Sequence, residues 1–555
     1  MKYILGISCY YHDSAACLIQ NGEIVFAIQE ERLTRIKHDA AFPKMSIKEI
    51  LNKFDISFND IEAVVFYEKP FLKFERLLET YIAFAPWGAK SFYKSMPLWI
   101  KEKLFQKQQI FNELRKIDSN FSKNKIKFSE HHLSHAASAF FPSPFKEAMI
   151  LTLDGVGEWS TTTISRGSEN KIEILEEINF PHSLGLLYSA FTYFLGFTVN
   201  SGEYKLMGLA PYGEPKYKNL ILENLIDVKD DGSFKMNMDY FDYATGLTMT
   251  NKKFEKLFNL KVRKKDSELK QIHMDLAASV QVVIEEIILK ICNYIKTNYQ
   301  CENLCLAGGV ALNCVANGKI IKNNIFKKVW IQPASGDAGC AIGSALAYWY
   351  IEKKNLRITS EKFDGMKNAM LGPSYSEEEI EKKLISLSAK FIKKTYDETI
   401  NFTSESIIQG KAIGWFQGRM EFGPRALGNR SIIADPRNES MQKNLNLKIK
   451  YRESFRPFAP ALLRENINDF FELDVDSPYM LVVSQIKKEK KISLNNYSKV
   501  SGLEKLNYKR SEIPAITHVD YSARLQTVDQ NSNQKFYDLI KSFYKKTGVA
   551  VLINT

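Results

Sequence analysis

Residues 130–155, EHHLSHAASAFFPSPFKEAMILTLDG, gather side chains that could do chemistry. His131, His132 and His135 are three of the eight histidines in the 555-residue chain. His131 and His135 are four apart, so a helix projects both imidazoles from one face, one turn apart. Leu133, Ala136 and Ala137 favour that helix, and Pro142 stops it. Ala148 to Leu153 then reads as a buried strand ending in Asp154-Gly155. Two histidines and a carboxylate suit a divalent transition metal, and mixed nitrogen and oxygen ligation points to iron or zinc. The bland alternative is that the histidines pack or cap a helix while Asp154 opens a turn.

Three other places carry candidate groups. His12 and Asp13 lie in a loop at the tip of a buried strand, where a histidine is either a surface residue or functional. Gly308-Gly309 follow a short strand and precede a helical ALNCVANGKI, so backbone can approach phosphate or ribose closely there. Asp337 sits in the loop PASGDAG; it serves as a helix N-cap, a fourth metal ligand or a magnesium-phosphate contact. From Lys411 to Arg464 there are eleven basic and four acidic residues, a local net of +7, mostly in glycine- and proline-bearing loops. Arginine forks flanked by Phe416, Phe422, Phe455 and Phe458 fit a half-buried polyanion site better than a solvated face.

The elements that must position these groups follow from periodicity. Tyr3 to Ser8, Ser14 to Gln20 and Glu23 to Gln29 read as strands, with Asn21-Gly22 a turn needing positive φ at both positions. Met149 to Leu153, Trp159 to Ser165 and Lys171 to Glu176 repeat that order around the loop Asp154-Gly-Val-Gly-Glu. Two such halves resemble the duplicated actin-like ATPase architecture, an α/β domain, which implies that the loops of His12 and Asp154 face each other across a nucleotide cleft; coincidence between two hairpins is the alternative. Residues 71–125 read as a helical insertion, 200–213 as a loop touching a ligand, and 214–270 as charged and irregular. Val280 to Ile295 is an amphipathic helix. Strands at Asn303 to Ala307 and Val329 to Gln332 follow, then a helix from Cys340 to Lys353. Residues 354–375 read as a linker between a domain over 1–353 and another over 376–555.

The net charge of +12 comes from scattered lysines, which an ordinary surface explains better than nucleic acid or a polyanionic small substrate. Seven cysteines without a C-x-x-C fit reduced thiols. No apolar run reaches 18 residues and the N-terminus lacks a signal-peptide pattern, so a soluble, cytoplasmic protein is expected.

The segments YYHDSAACL, QEERLTRIKHD, HHLSHAASAF, LTLDGVGEW, GEYKLMGLAPYG, GGVALN, SGDAGCAIG, FGPRALGNRSI, RESFRPFAP, THVDYSARLQTV and VLINT together resemble the O-carbamoyltransferase (NodU/CmcH) family. The resemblance implies an actin-like first domain, similar to the tRNA threonylcarbamoyl transferase subunit, and a YrdC-like second domain. The second would make carbamoyladenylate and pyrophosphate from carbamoyl phosphate and ATP with Mg(II). The first would transfer the carbamoyl group to a hydroxyl of a small acceptor, a natural product or sugar. Carried over by position, it implies Fe(II) on His131, His135, Asp154 and Asp337, and nucleotide contacts at Lys37, Gly309 and Asn313. It puts His12 beside the acceptor, and Arg419, Lys448, Arg456 and Arg524 at carbamoyl phosphate and ATP. No membrane or nucleic-acid partner is expected, and a homodimer stays open. The family continues past the VLINT segment, so a chain ending at Thr555 is expected to be truncated. Two other classes are compatible with the sequence: a tRNA-modifying threonylcarbamoyl-type enzyme and a non-catalytic actin-like binding module.

Overall fold

The computed structural model describes residues 2–100, 104–360, 363–494, 497 and 500–555, without the side chain of Leu98. Residues 1–210 with 214–366 form one compact unit, and 211–213 with 367–555 form another.

The first unit holds two five-stranded sheets built on one plan. In the first sheet β1 (Tyr3–Ser8), β2 (Ala15–Gln20), β3 (Glu23–Gln29), β4 (Ile61–Phe66) and β5 (Ile126–Phe128) lie in the order β3-β2-β1-β4-β5. The β1–β2 and β2–β3 pairs are antiparallel, whereas β1–β4 and β4–β5 are parallel. The turn between β2 and β3 has φ of 50° at Asn21 and 89° at Gly22. Strands β6 (Glu147–Leu153), β7 (Ser160–Ser168) and β8 (Lys171–Asn179) open the second sheet. A small ribbon of β9 (Ile226–Val228) and β10 (Phe234–Met236) intervenes. The second sheet is completed by β11 (Asn303–Ala307) and β12 (Lys328–Ile331), in the order β8-β7-β6-β11-β12. Its pairings repeat those of the first: two antiparallel, then two parallel. The duplicated, actin-like architecture is thus present strand for strand.

Two helices join the halves. The helix His131–Phe140 leaves the first sheet and packs on β6, β7 and β11 of the second. The helix Asp337–Ala347 leaves the second sheet and packs on β1, β2 and β4 of the first. They also pack on each other, and both are buried almost throughout. Their approach is close enough that a Cβ on Gly343 would stand 1.7 Å from the Ser134 carbonyl oxygen. Gly343→Ala therefore forces two buried helices apart and is expected to cost about 1–3 kcal/mol, read as a lower denaturant midpoint.

Several elements differ from the sequence expectation. Residues 200–213 carry a helix, Glu203–Leu209, and a 3₁₀ turn, Ala210–Tyr212, instead of an open loop. The Glu203 carboxylate accepts the N–H groups of Asn200 and Gly202 and the Ser189 hydroxyl, which fixes the helix start. Asp337 is the first helical residue, and the helix ends in a π turn at Tyr348–Glu352. The amphipathic helix extends to Gln271–Tyr299. Residues 214–270 contain two short helices besides the ribbon. The 71–125 insertion is helical over Pro70–Ala83, Ala89–Trp99 and Gln106–Arg115, with residues 101–103 outside the described residues.

The stretch 354–375 is divided between the units, with residues 361 and 362 outside the described residues. The Arg357 guanidinium donates to the carbonyls of Phe140, Phe141, Ser143 and Phe145, tying this segment to the first unit. Beyond Met366 the chain joins the second unit, where Phe422 N–H bonds the Ala369 carbonyl. All seven cysteines are buried free thiols. Among the described residues no helix is long and apolar enough to cross a membrane.

The second unit is a six-stranded mixed sheet. Its strands are β13 (Ile413–Phe416), β14 (Arg430–Ala434), β15 (Ala459–Leu463), β16 (Val482–Gln485), β17 (Ser522–Val528) and β18 (Val551–Asn554). Their order is β13-β14-β18-β15-β17-β16, which places the VLINT segment in the middle. The helix Gln534–Thr547 lays Phe536, Leu539, Ile540 and Phe543 into the core at helical spacing and packs against Tyr396–Ile408.

Candidate active site and metal centre

Three strand ends of the first unit converge on the two histidines. After β5, the N–H of His131 is held by both carboxylate oxygens of Glu158, each at 3.0 Å. Glu158 also accepts the Lys69 N–H at 2.7 Å, so one buried carboxylate fixes two backbone donors where the histidine helix begins. After β6, Asp154 spends Oδ1 on the Gly309 N–H at 3.2 Å and turns Oδ2 toward His131 Nε2 at 3.1 Å. The contact needs glycine beside it: Gly308 has φ of 86°, and a Cβ there would lie 2.1 Å from the Leu153 carbonyl oxygen. After β12, Asp337 opens its helix with Oδ1 3.9 Å from His131 Nε2 and 3.7 Å from His135 Nε2.

The two Nε2 atoms are 3.2 Å apart, and His135 Nε2 lies 3.8 Å from Asp154 Oδ2. One ligand atom from each of the four residues lies within 4.8 Å of every other. Ligands about 2.1 Å from a common centre stand about 3.0–3.4 Å apart along octahedral or tetrahedral edges. The shorter separations match that spacing, and Asp337 is slightly further out. The donor set therefore fits a divalent cation bound by two nitrogens and two oxygens. Cys340 also lies close to both histidines, and burial holds its thiol well above the ordinary range.

The electrostatics of the cluster have the same shape. Burial pulls the His131 imidazole down, but its hydrogen bond to Asp154 and the Asp337 charge outweigh it and hold it at about 9. Burial and then the His131 charge push His135 well below the ordinary range. Burial raises Asp337, whereas Asp154 stays well below the carboxylate range despite burial, because His131 hydrogen bonds to it. Two carboxylates thus converge on the histidine pair and favour positive charge there.

His12 reaches the edge of this cluster. Its Nδ1 is 3.1 Å from Asp13 Oδ2, and Asp13 Oδ1 is 2.8 Å from His38 Nδ1. Asp13 and His38 both have positive φ, 52° and 56°, which brings their loops together. Bridged in this way, the His12 ring points Nε2 toward Asp337 Oδ2, 3.8 Å away. Burial lowers this imidazole, but Asp337 and the Asp13 hydrogen bond raise it to about 9.

The other first-unit candidates sit as follows. Gly309 touches Asp154 directly. Lys37 donates to the Tyr204 hydroxyl at 3.3 Å on the exposed side. Asn313 exchanges both amide ends with Gln281 and caps the helix Cys314–Lys322, so its side chain is engaged within the protein. Two residues absent from the sequence reading line the same region. Lys73 lies over the Tyr11 ring and pairs with buried Glu68. Arg76 is buried and donates to the Gly157 carbonyl at 2.8 Å, with burial lowering it to about 10. Their signal in the sequence is two cations three apart on one helix face, in PFLKFER.

In the second unit Glu421 organises the FGPRALGNRS loop, accepting the N–H groups of Leu427, Asn429 and Arg430. Arg419 donates to the carbonyls of Leu371 and Gly372. Arg430 lies 3.6 Å from the Phe416 ring centre and donates to four carbonyls. Lys448 is exposed on the π turn Leu445–Ile449, and Arg456 is half-buried with Glu453 3.8 Å away. Arg524 lies on β17 opposite Val483. Burial, then Arg452 and Arg456, pull Lys450 down to about 8. Burial is the larger cause of that shift, and the two arginines add like charge beside the lysine.

The family described as "Carbamoyltransferase N-terminus" matches residues 3–346, and "Carbamoyltransferase C-terminus" matches 404–555. The chain is similar to the uncharacterized protein sll1178 of Synechocystis sp., 55% identical over all of this chain and 91% of that one. It is also similar to the nodulation protein NolNO of Sinorhizobium fredii, 35% identical over 98% of this chain and 74% of that one. Among solved structures, the activator of the 2-hydroxyisocaproyl-CoA dehydratase from Clostridium difficile with bound ADPNP aligns over 64% of this chain and all of its own. That alignment has 13% identity and a TM-score of 0.32.

Proposed function

The chain belongs to the carbamoyltransferase family, and from that premise we propose that it is an ATP-dependent O-carbamoyltransferase with two active sites. The observation that carries this reading is the His131, His135, Asp154 and Asp337 cluster with His12 at its edge.

In the second unit, read as YrdC-like, carbamoyl phosphate and Mg-ATP become carbamoyladenylate. The atoms balance with one water: it releases phosphate from carbamoyl phosphate, and the carbamate oxygen attacks the α-phosphorus of ATP, expelling pyrophosphate. Arg456, Lys448, Arg524 and Arg419 are proposed to serve these anions, and Lys450 joins them because Arg452 and Arg456 crowd it. In the first unit, Lys37 and Gly309 are proposed to hold the nucleotide, and Asn313, its side chain engaged by Gln281, to fix the helix that follows them. Fe(II) held by the four-residue cluster would supply Lewis acidity at the carbamoyl oxygen. Asp337 is the largest charge raising His12 to about 9; a cation on Asp337 would offset that charge, and the neutral ring, its Nδ1 proton held by Asp13, would take the acceptor hydroxyl proton on Nε2. The hydroxyl oxygen bonds to the carbamoyl carbon, and AMP leaves.

The test separates the half-reactions. Arg456→Ala is expected to lower carbamoyl-phosphate-dependent pyrophosphate release on the order of 30-fold, the effect of one lost charged contact. Unchanged release would remove Arg456 from the site. Lys450 adds a pH signature. Held at about 8, it carries its charge below that pH and loses it above. The KM for carbamoyl phosphate should therefore rise as pH passes through 8, and Lys450→Met should flatten that rise.

A further inference from the structure

The insertion after β4 is unlike the rest of the first unit. Phe71 is 67% exposed, Ile82 67%, Trp87 77%, Tyr93 83% and Phe105 61%. Five large apolar side chains exposed along one insertion go beyond the single exposed residues of an ordinary surface. Trp87 ends an exposed apolar stretch that begins at Ile82, between the helices Pro70–Ala83 and Ala89–Trp99. On the second helix Lys90, Tyr93, Lys94 and Pro97 share one exposed face. Residues 84–110 hold five lysines and one glutamate, a net of +4. At the base of the insertion a cavity of about 240 Å³ is walled by Phe71, Leu72, Leu104 and Phe128, with Lys69 and Lys107 beside them.

We propose that this insertion is a membrane-surface contact, binding the headgroup region of an anionic bilayer with Trp87, Tyr93 and Ile82 inserted and Lys90, Lys94 and Lys107 on the phosphates. Tryptophan and tyrosine prefer that interface because their rings are apolar with one polar edge, and lysines add attraction to anionic lipid. A second copy of this chain fits less well, since a two-fold contact would set the exposed Lys90 and Lys94 of one copy against those of the other. The apolar cavity beside two lysines suits an acyl chain whose headgroup stays outside. An apolar run long enough to span a bilayer is not required for such binding.

The experiment is flotation of the full chain with vesicles of phosphatidylglycerol and phosphatidylcholine, and of phosphatidylcholine alone, at low and high salt. Flotation is expected with the anionic vesicles at low salt, weakening as salt rises. Lys90→Ala and Lys94→Ala should each weaken it about fivefold. The Trp87→Ser/Tyr93→Ser chain should lose on the order of tenfold while melting at the same temperature. Absence of flotation, or equal flotation with phosphatidylcholine alone, overturns the proposal. So does loss in the lysine variants with none in the aromatic one. A dimer that the aromatic substitutions dissociate would assign the face to a second copy and overturn it as well.

Discussion

His135→Ala protein is expected to release pyrophosphate from ATP and carbamoyl phosphate at the rate of the unaltered chain and to carbamoylate almost no acceptor. His135 is fully buried and its Nε2 meets three other donors of the cluster, so alanine removes a ligand without touching the second unit. Lewis-acid polarisation is worth several kcal/mol, so the transfer step should slow by about 10³-fold. Metal analysis should find one iron per chain in the unaltered protein and a sharply reduced content in the variant. An alanine in this tightly packed helix also leaves a small cavity, so the melting temperature is measured alongside. Retained transfer in a chain stripped of metal and lacking both His131 and His135 would defeat the metal reading.

The second large effect belongs to His12. His12→Asn should keep pyrophosphate release and lose transfer by about 10²–10⁴-fold, the usual contribution of a positioned general base. Synthetic carbamoyladenylate should restore transfer to Arg456→Ala, whose defect lies upstream, and should not restore it to His12→Asn. Rescue of His12→Asn by the adenylate would move this histidine into activation. Asp13→Asn gives a graded companion: the bridge from His12 Nδ1 to His38 Nδ1 runs through its two oxygens, so the ring loses its orientation but keeps its base. A loss smaller than that of His12→Asn is expected.

Much of this was written in local pattern. Nearly continuous apolar runs mark β1, β2 and β6, because a strand covered on both faces needs apolar side chains throughout, whereas β7 is buried but rich in Ser and Thr and β8 is an exposed edge. The Asn21-Gly22 turn follows from backbone sterics alone. The i, i+4 spacing of His131 and His135 guarantees a shared face once the helix forms. Chain-distant meetings were not local. Asp154 and Asp337 reach those histidines because each half's helix packs on the other half's sheet, and only glycine at 343 and 308 lets the backbones approach so closely. Whether a polar side chain is spent inside the protein is likewise a tertiary outcome. Asn313 is engaged by Gln281, Arg357 by four carbonyls, and Lys450 is perturbed by two neighbouring arginines. A side chain's type states what it can bond, but burial and the partners that folding brings within about 3 Å decide what it does bond.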